Sequence, residues 1–285
     1  MKRTILIASA ALACASPAAA TGFPHLKSVI ASVDGEYLSF SAGFGSRRVV
    51  NAQSRFGLGD AKLSLSVSQG QRKAGAEQSS ASRISTTLVN DWTSRFSTRT
   101  SLGISGDKPV FVTREAAQDV SFKVLPETVL TAGARYARYY GGTDAWSWSA
   151  GASQYFKGGM IAYRFTSYDI EHLGHSVGHL GSFKLNDRGG SSQLWVGHGT
   201  SIHDAEFLPV PQRGTYTSAE LKRSQKLTPD IALNVGLRRS WYDTPEANYH
   251  GTGIHLGLTF GFQPRTTPID EARNPSEGRS QSGSR

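Results

Sequence analysis

The strongest constraint on the fold is an alternating segment near the end of the chain, from Gly253 to Phe262. Every even-numbered residue from Ile254 onward is apolar and bulky, and every odd-numbered one is small or polar. Because successive side chains of a β-strand point to opposite faces, this period of two places all the bulky groups on one face. An apolar face opposite a polar one, ending on an aromatic residue, is typical of the last strand of an outer-membrane β-barrel.

The same alternation recurs along most of the chain. It is clearest where Leu63, Leu65 and Val67 alternate with serines. The predicted strands run over approximately 36–45, 47–57, the region around 63–68, 80–91, 94–105, 114–124, 128–140, 144–156, 159–169, 175–186, 191–201, 214–226, 229–242 and 251–262. With no convincing amphipathic helix between them, these segments predict an all-β, antiparallel transmembrane barrel of about fourteen strands. Twelve strands remain an alternative if the first pair lies outside the membrane.

The predicted connections alternate in length, which indicates their side of the membrane. Short links are expected at Trp92–Arg95, Leu125–Thr128, Lys157–Gly159, Asn186–Gly190 and Gln225–Asp230. Longer links are expected at Gln71–Ser80, Gly106–Arg114, Ile202–Arg213 and Asp243–Gly251. Outer-membrane barrels have short periplasmic turns and longer extracellular loops, so both termini are expected in the periplasm.

The first twenty residues have the pattern of a secretory signal peptide. A basic start at Lys2 and Arg3 precedes an apolar run, and small residues end at Ala20, where we expect cleavage. The single cysteine, Cys14, lies inside this segment, so the mature chain needs no disulfide. A lipoprotein signal at Cys14 is a weaker alternative because Ala11 stands where an aliphatic residue is usual.

The remaining domain boundaries follow from changes in composition. We expect a periplasmic N-terminal segment over 21–35 and the outer-membrane barrel over 36–262. Residues 263–285 contain no aromatic side chain and are rich in Ser, Arg, Glu, Pro and Gly. This composition predicts a disordered periplasmic tail.

The charge balance is basic. Without Lys2 and Arg3 the mature chain has 29 basic and 22 acidic residues, a net charge of +7. Such a balance fits nucleic acid, an anionic membrane surface or an anion-favouring lumen. The charges are scattered singly along the predicted strands, so nucleic acid is not an expected partner.

A series of short motifs covers nearly the whole mature chain in a consistent order. They are Leu65 to Gly70 with Arg72, Pro109-Val110-Phe111, Leu125-Pro126, Arg135-Tyr136 with Arg138-Tyr139-Tyr140, Asp144-Ala145-Trp146, Tyr163-Arg164 with Tyr168-Asp169, Leu185 to Gly189, Gln193-Leu194-Trp195, and Trp241 to Pro245. This series resembles the YaiO-type outer-membrane β-barrel family. The resemblance implies an integral outer-membrane protein of a Gram-negative bacterium, from a family with no established reaction. Family members end on the aromatic residue of the final strand, whereas this chain continues beyond Phe262, so the barrel-assembly machinery must read an internal closing aromatic.

Alternation also predicts which charged side chains face the lumen. Arg135, Arg164 and Arg238 lie opposite apolar faces, as do Glu220 and Lys222 on another strand. Two interpretations remain open for these residues. They form a basic constriction that selects anionic solutes, or an internal ion-pair lattice that fills the lumen and rigidifies the wall.

The aromatic residues fit an interfacial girdle, where amphipathic rings lie at the level of the lipid head groups. The members expected there are Trp92, Trp146, Trp195, Trp241 and Tyr242. A sugar-stacking track inside the lumen is the less favoured alternative.

The histidines do not define a catalytic or metal site. His175 and His179 share one face of a predicted strand, but no convergent ligand set or Ser-His-acid arrangement follows from the spacing. We therefore expect no catalytic residues, no metal and no cofactor.

Three functional interpretations follow. The preferred one is a structural or pore-type barrel of unassigned substrate. The alternatives are a barrel that accommodates or exports a polysaccharide or another envelope component, and an outer-membrane enzyme acting on lipid or lipopolysaccharide. Expected partners are outer-membrane lipids, lipopolysaccharide and, during biogenesis, the barrel-assembly machinery; the sequence does not give the oligomeric state.

The predicted topology is testable by proteolysis of intact cells. The loop around Phe207 to Gln212 should be cleaved from outside, because long loops face the medium, while Pro264 to Arg285 should be protected. Immunoblotting with tags in the two segments measures both. The reverse pattern would invert the barrel.

Overall fold

The computed structural model describes residues 26–201, 213–245 and 247–262 and consists of β-strands joined by turns. The strands are β1 (Leu26–Phe40), β2 (Gly45–Leu58), β3 (Ala61–Ala74), β4 (Glu77–Asp91), β5 (Phe96–Ser105), β6 (Arg114–Leu125), β7 (Thr128–Arg138), β8 (Asp144–Phe156), β9 (Gly159–Ile170), β10 (Gly174–Asp187), β11 (Gly190–Ser201), β12 (Arg213–Lys226), β13 (Ile231–Asp243) and β14 (Asn248–Phe262). One 3₁₀ turn, Tyr140–Gly142, precedes β8. No helix in these ranges is long and apolar enough to cross a membrane.

The strands form one closed antiparallel barrel in chain order, and β1 pairs with β14 to complete the ring. The closing ladder runs from Val29 opposite Phe262 to Phe40 opposite Gly251. The predicted fourteen-stranded barrel is therefore confirmed, and the twelve-stranded alternative is wrong. Both ends of the barrel chain lie at one mouth, which we call the terminal mouth; the opposite one is the distal mouth.

The first strand begins earlier than its sequence suggested. β1 starts at Leu26 and ends at Phe40, whereas the expected strand began at Glu36 and 21–35 was expected to precede the barrel. The reason is closure, because β14 has unpaired backbone groups along its whole length until β1 runs beside it. The signal peptide and the tail from residue 263 lie outside the described residues.

Most predicted turns are present, but one expected loop is not. β2 and β3 meet in a tight turn at Gly59, whose φ of +67° suits glycine. The longer link expected between Gln71 and Ser80 is wrong, because the β3–β4 ladder continues without a break to Ala74 opposite Glu77. Polar outward residues there end the hydrophobic alternation while backbone pairing continues. The expected loop 202–212 lies outside the described residues.

The outer face of the closing strand is apolar, as its alternation predicted. Ile254, Leu256 and Leu258 project outward, and Leu256 is 60% exposed. At the terminal mouth Phe262 packs with Phe56 against Val29, so the closing aromatic lies in the β1 seam. Large exposed apolar side chains on nearly every strand make this surface suited to lipid rather than water.

A charge on this surface should destabilise the barrel according to its depth. Leu256→Arg should lower the free energy of unfolding in lipid by about 2–4 kcal/mol, because the guanidinium would lie in hydrocarbon. Asn248→Arg, at the distal start of the same strand, is the matched control and should cost roughly 0–1 kcal/mol. Guanidinium titration of vesicle-embedded protein measures both. Equal costs would contradict a lipid-facing β14.

Candidate functional site in the barrel lumen

Side chains on the lumen face are charged and hydroxylated, and strand register brings them together. Arg99 on β5 lies opposite Asp119 on β6, and Asp119 lies opposite Gly133 on β7. The same row continues through Ser149 on β8 to Thr166 on β9. Because neighbours in register point to one side of the sheet, these residues share the lumen.

Two acidic side chains on β6 anchor an ion-pair network in the middle of this wall. The Glu115 carboxylate pairs with the guanidinium of Arg83 on β4 at 2.7 Å and with that of Arg135 on β7 at 3.5 Å. Asp119 pairs with Arg164, which reaches it from β9. These pairs connect non-adjacent strands across the curved wall and hold the arginines in defined positions.

Glycine makes room for these pairs. A Cβ at Gly133 would overlap the Asp119 carboxylate, and a Cβ at Gly103 would meet the Arg83 guanidinium at 2.8 Å. The absence of a side chain on one strand thus lets the charged group of the neighbouring strand lie flat along the wall.

A cavity of about 320 Å³, which we call the upper chamber, opens in the lumen beside this network. Arg135, Arg164 and Arg238 line it, with Asp119 as the acidic member among the described lining residues. Hydroxyl groups and tyrosine rings complete the wall: Ser147, Ser149, Thr166, Ser218, Tyr168 and Tyr216.

A second cavity of about 270 Å³, the lower chamber, lies towards the terminal mouth. It shares Asp119 and Arg164 with the upper chamber, so the two are adjacent compartments of one lumen. Arg99 adds a second guanidinium. Further lining side chains are Ser121, Thr131, Ser153, Ser182 and Trp195.

The distal mouth is packed with apolar and aromatic side chains. One cluster joins Leu38, Phe40, Tyr242 and Tyr249, with Phe44 and Tyr216 against it. A second joins Ala137, Tyr139, Ala145, Tyr168 and Ile170, with Val112 and Leu173 against it. Both lie at the distal ends of their strands. The lumen therefore carries more apolar and aromatic side chains towards the distal mouth, where the buried Arg47 lies among them.

The β5–β6 loop contributes to this distal packing by folding inward. Val110 is only 2% exposed. Together with the Phe111 ring it occupies the space beside Gly70 of β3, where a Cβ would overlap both side chains. The Arg47 guanidinium of β2 lies 5.4 Å from the centroid of the Phe111 ring, in cation–π geometry.

The structure brings the predicted charged residues to the lumen as two groups. Arg135, Arg164 and Arg238 line the upper chamber together. Glu220 and Lys222 lie on the same face of β12, with Nζ and Oε1 2.7 Å apart, and Glu220 lies opposite Arg238 in register.

Two predicted interfacial aromatics face the lumen instead. Trp195 lines the lower chamber, and Lys222 Nζ lies 5.4 Å from its ring centroid. Tyr242 is buried and stacks on Tyr249 with centroids 4.8 Å apart. The interfacial expectation is wrong for both because residue type does not specify the face. In β11 the bulky Leu194 and Val196 point outward, and Trp195 between them must point inward.

The other three predicted girdle residues are on the outside. Trp146 is 53% exposed on β8, and Trp241 projects from β13. Trp92 lies in the turn after β4, where its indole N–H donates to Thr98 Oγ1 at 2.8 Å.

Several lumen residues were not singled out from the sequence. Glu115 and Asp119 alternate with outward Ala116, Gln118 and Val120, so the same period of two contained their signal. The inward position of Val110 and Phe111 has no periodic signal, because a loop can fold either way.

The fold, the apolar exterior and the charged interior define the class: this is an integral outer-membrane β-barrel protein. The YaiO membrane beta barrel domain model matches residues 30–205, and the chain belongs to that family.

Several solved outer-membrane proteins are similar to this chain in fold. A bacterial polysaccharide outer membrane secretin aligns with a TM-score of 0.53 and 10% identity, over 82% of this chain and 98% of that one. The toluene transporter TodX of Pseudomonas putida gives 0.50 and 8%, over 87% and 92%. An anion-selective porin from Comamonas acidovorans gives 0.45 and 11%, over 83% and 98%. At these identities the likeness is one of fold.

The inward loop should restrict the lumen. Phe111→Ala removes the ring that packs on Gly70 and Arg47, so the single-channel conductance in a planar bilayer should rise. Phe96→Ala, an outward-facing ring on β5, is the matched control and should leave the conductance unchanged. An equal conductance of Phe111→Ala and wild type would mean that the loop does not narrow the path.

Proposed function

We propose that this protein is an outer-membrane channel whose basic lumen favours small anionic solutes. The observation that carries the proposal is the convergence of Arg135, Arg164 and Arg238 on one chamber that has a single acidic lining residue among those described. Rings of Arg or Lys select anions because they lower the electrostatic energy of a negative charge inside a low-dielectric wall.

The ion pairs strengthen this proposal and do not cancel it. Glu115 and Asp119 each hold arginines at fixed positions, yet the upper chamber receives three guanidinium groups for one carboxylate. The lower chamber receives two, Arg99 and Arg164, for the same carboxylate. An anion moving between the chambers would therefore pass basic groups throughout. The sequence left an internal ion-pair lattice and a basic constriction as alternatives. In this proposal the same residues form both.

A transport role is supported better than a catalytic one. His179 and His198 lie on the outer face, where His179 Nδ1 bonds the Tyr163 hydroxyl at 2.7 Å and His198 Nδ1 bonds Thr217 at 3.0 Å. The hydroxyl groups of Ser176 and Ser218, which a Ser-His hydrolase would need beside an imidazole, lie on the lumen face. The barrel wall thus separates these two hydroxyl groups from these two imidazoles, whereas His255 faces the lumen and lies 3.2 Å from Asp34. No three metal-ligating side chains converge in the described ranges.

The proposed orientation puts the terminal mouth in the periplasm and the distal mouth outside the cell, after signal-peptide-dependent export. On the outer face near the distal mouth, Arg48 lies over the Tyr37 ring at 5.3 Å and Arg239 over Trp241 at 5.9 Å. Such cation–aromatic pairs suit the phosphates and sugars of lipopolysaccharide. Trp92, Trp146 and Trp241 would form the interfacial girdle. The assembly machinery would read β14, with Phe262 in the seam.

Ion selectivity tests the channel. In a planar bilayer with a potassium chloride gradient, the reversal potential should show chloride preference. In the double variant Arg164→Gln with Arg238→Gln, the chloride-to-potassium permeability ratio derived from this potential should fall severalfold towards one, because two positive charges leave the chamber. Arg223→Gln is the matched control. It removes an outer-face arginine that pairs with Asp187 at 2.5 Å and should change nothing.

Two results would contradict this proposal. One is cation preference in the wild type. The other is an absence of ion current from both the wild type and the Phe111→Ala variant.

A further inference from the structure

The lower chamber combines three kinds of side chain that a simple anion filter does not need together. It contains the guanidinium groups of Arg99 and of Arg164, the second of which pairs with Asp119, a row of small hydroxyl groups, and the indole of Trp195. Trp195 is the one indole among the described lining residues, and its neighbours on β10 and β11 include the small Ser182 and Gly197 beside the aliphatic Leu180. A large flat ring therefore forms part of the chamber surface.

The indole is held in position by its neighbours on β12. Lys222 lies over the ring at 5.4 Å from the centroid, and its Nζ pairs with Glu220 at 2.7 Å. Neither Lys222 nor Glu220 is among the described residues that line the lower chamber, whereas Trp195 is. The ring is thus fixed by a charged pair and also forms part of the chamber surface. A preorganised aromatic surface costs little conformational entropy when a ligand packs on it.

Hydroxyl groups line the same chamber as this ring. Ser121, Thr131 and Ser153 belong to three successive strands, and Ser182 lies opposite Trp195 in register. Ser121 and Thr131 already exchange a hydrogen bond of 3.1 Å, so their oxygens point along the wall. Each hydroxyl can both donate and accept, which suits a ligand that carries many hydroxyl groups of its own.

We infer that the lower chamber is a binding subsite for an acidic sugar, namely a pyranose unit that carries a carboxylate, within a short saccharide. The apolar C–H face of the ring would pack on Trp195, its hydroxyl groups would bond the serine and threonine wall, and Arg99 and Arg164 would receive the carboxylate. The two adjoining chambers have the size of ordinary small-ligand pockets, so a saccharide of a few units fits along them.

Other solute classes match the chamber less well. An inorganic anion has no flat apolar face and makes no use of the indole. An apolar aromatic solute would leave two guanidinium groups and several hydroxyls without partners on the ligand, which is unfavourable in a confined site. A neutral sugar would leave the arginines unused. Of these classes, an acidic sugar is the one that contacts the arginines, the hydroxyl groups and the indole together.

The inference rests on the proposed channel function for access to the chamber, but its test does not depend on ion current. Binding of a mannuronate trisaccharide to the detergent-solubilised full chain is measured by calorimetry. Mannotriose, which differs in lacking the carboxylates, and inorganic phosphate are the comparison probes. The wild type should bind the mannuronate trisaccharide at least about tenfold more tightly than either of them.

Variants assign the binding to the chamber. Trp195→Ala should weaken trisaccharide affinity by about tenfold, and Trp195→Tyr should restore most of it because a ring is again present. Arg99→Gln should weaken the binding of the mannuronate trisaccharide and leave the binding of mannotriose unchanged. Trp148→Ala, an outward ring that is 65% exposed on β8, is the matched control and should have no effect. Unchanged strand content by circular dichroism shows that each variant is folded.

Four outcomes would overturn the inference: no binding of the mannuronate trisaccharide, equal binding of mannotriose, equal binding of phosphate, or full affinity in Trp195→Ala. Any of these with chloride preference intact would refute the sugar subsite and leave the channel standing. Sugar binding with no ion current from either the wild type or the Phe111→Ala variant would refute the channel and leave the subsite.

Discussion

Backbone hydrogen bonding in a medium without water is the constraint on which this structure depends. In lipid each unpaired N–H and C=O costs several kcal/mol, so a sheet can cross only if it has no open edge. Here the β1–β14 ladder removes that edge. The need for complete pairing explains why β1 starts at Leu26, before its side-chain alternation becomes clear. Closure then divides every strand into an outer and a lumen face, and all later features follow from this division.

The two faces solve different problems. The outer face carries separate large apolar side chains, whereas the lumen face is stabilised by pairs that reach over intervening strands, as Arg164 does to Asp119. Such reach is possible only where a strand between them contributes a glycine, as Gly133 does. The arginines are consequently held in defined positions on the lumen wall. The charged side chains in these pairs along the lumen are thus fixed and are not free to change conformation.

The fold could be predicted from the sequence because a period of two is a local property of each strand. The same alternation indicated Arg135, Arg164 and Arg238 as lumen residues. For Trp195 and Tyr242 the residue type suggests the membrane interface, but the alternation of the neighbouring side chains places both rings in the lumen. The inward course of the Val110–Phe111 loop could not be predicted, since its contacts with Gly70 and Arg47 join segments that are distant in sequence. Pairing at the distal ends of β3 and β4 was also hidden, because their side chains there are polar on both faces and give no apolar alternation.

The inward loop has a consequence for the order of folding. Val110 and Phe111 at its tip pack beside Gly70 of β3, and Phe111 also faces Arg47 of β2. This packing site exists only when the early strands have formed a curved sheet. Before that stage Val110 and Phe111 lack these contacts and are exposed. The loop would then enter the lumen late in folding, and a barrel that failed to close would keep its two apolar side chains exposed.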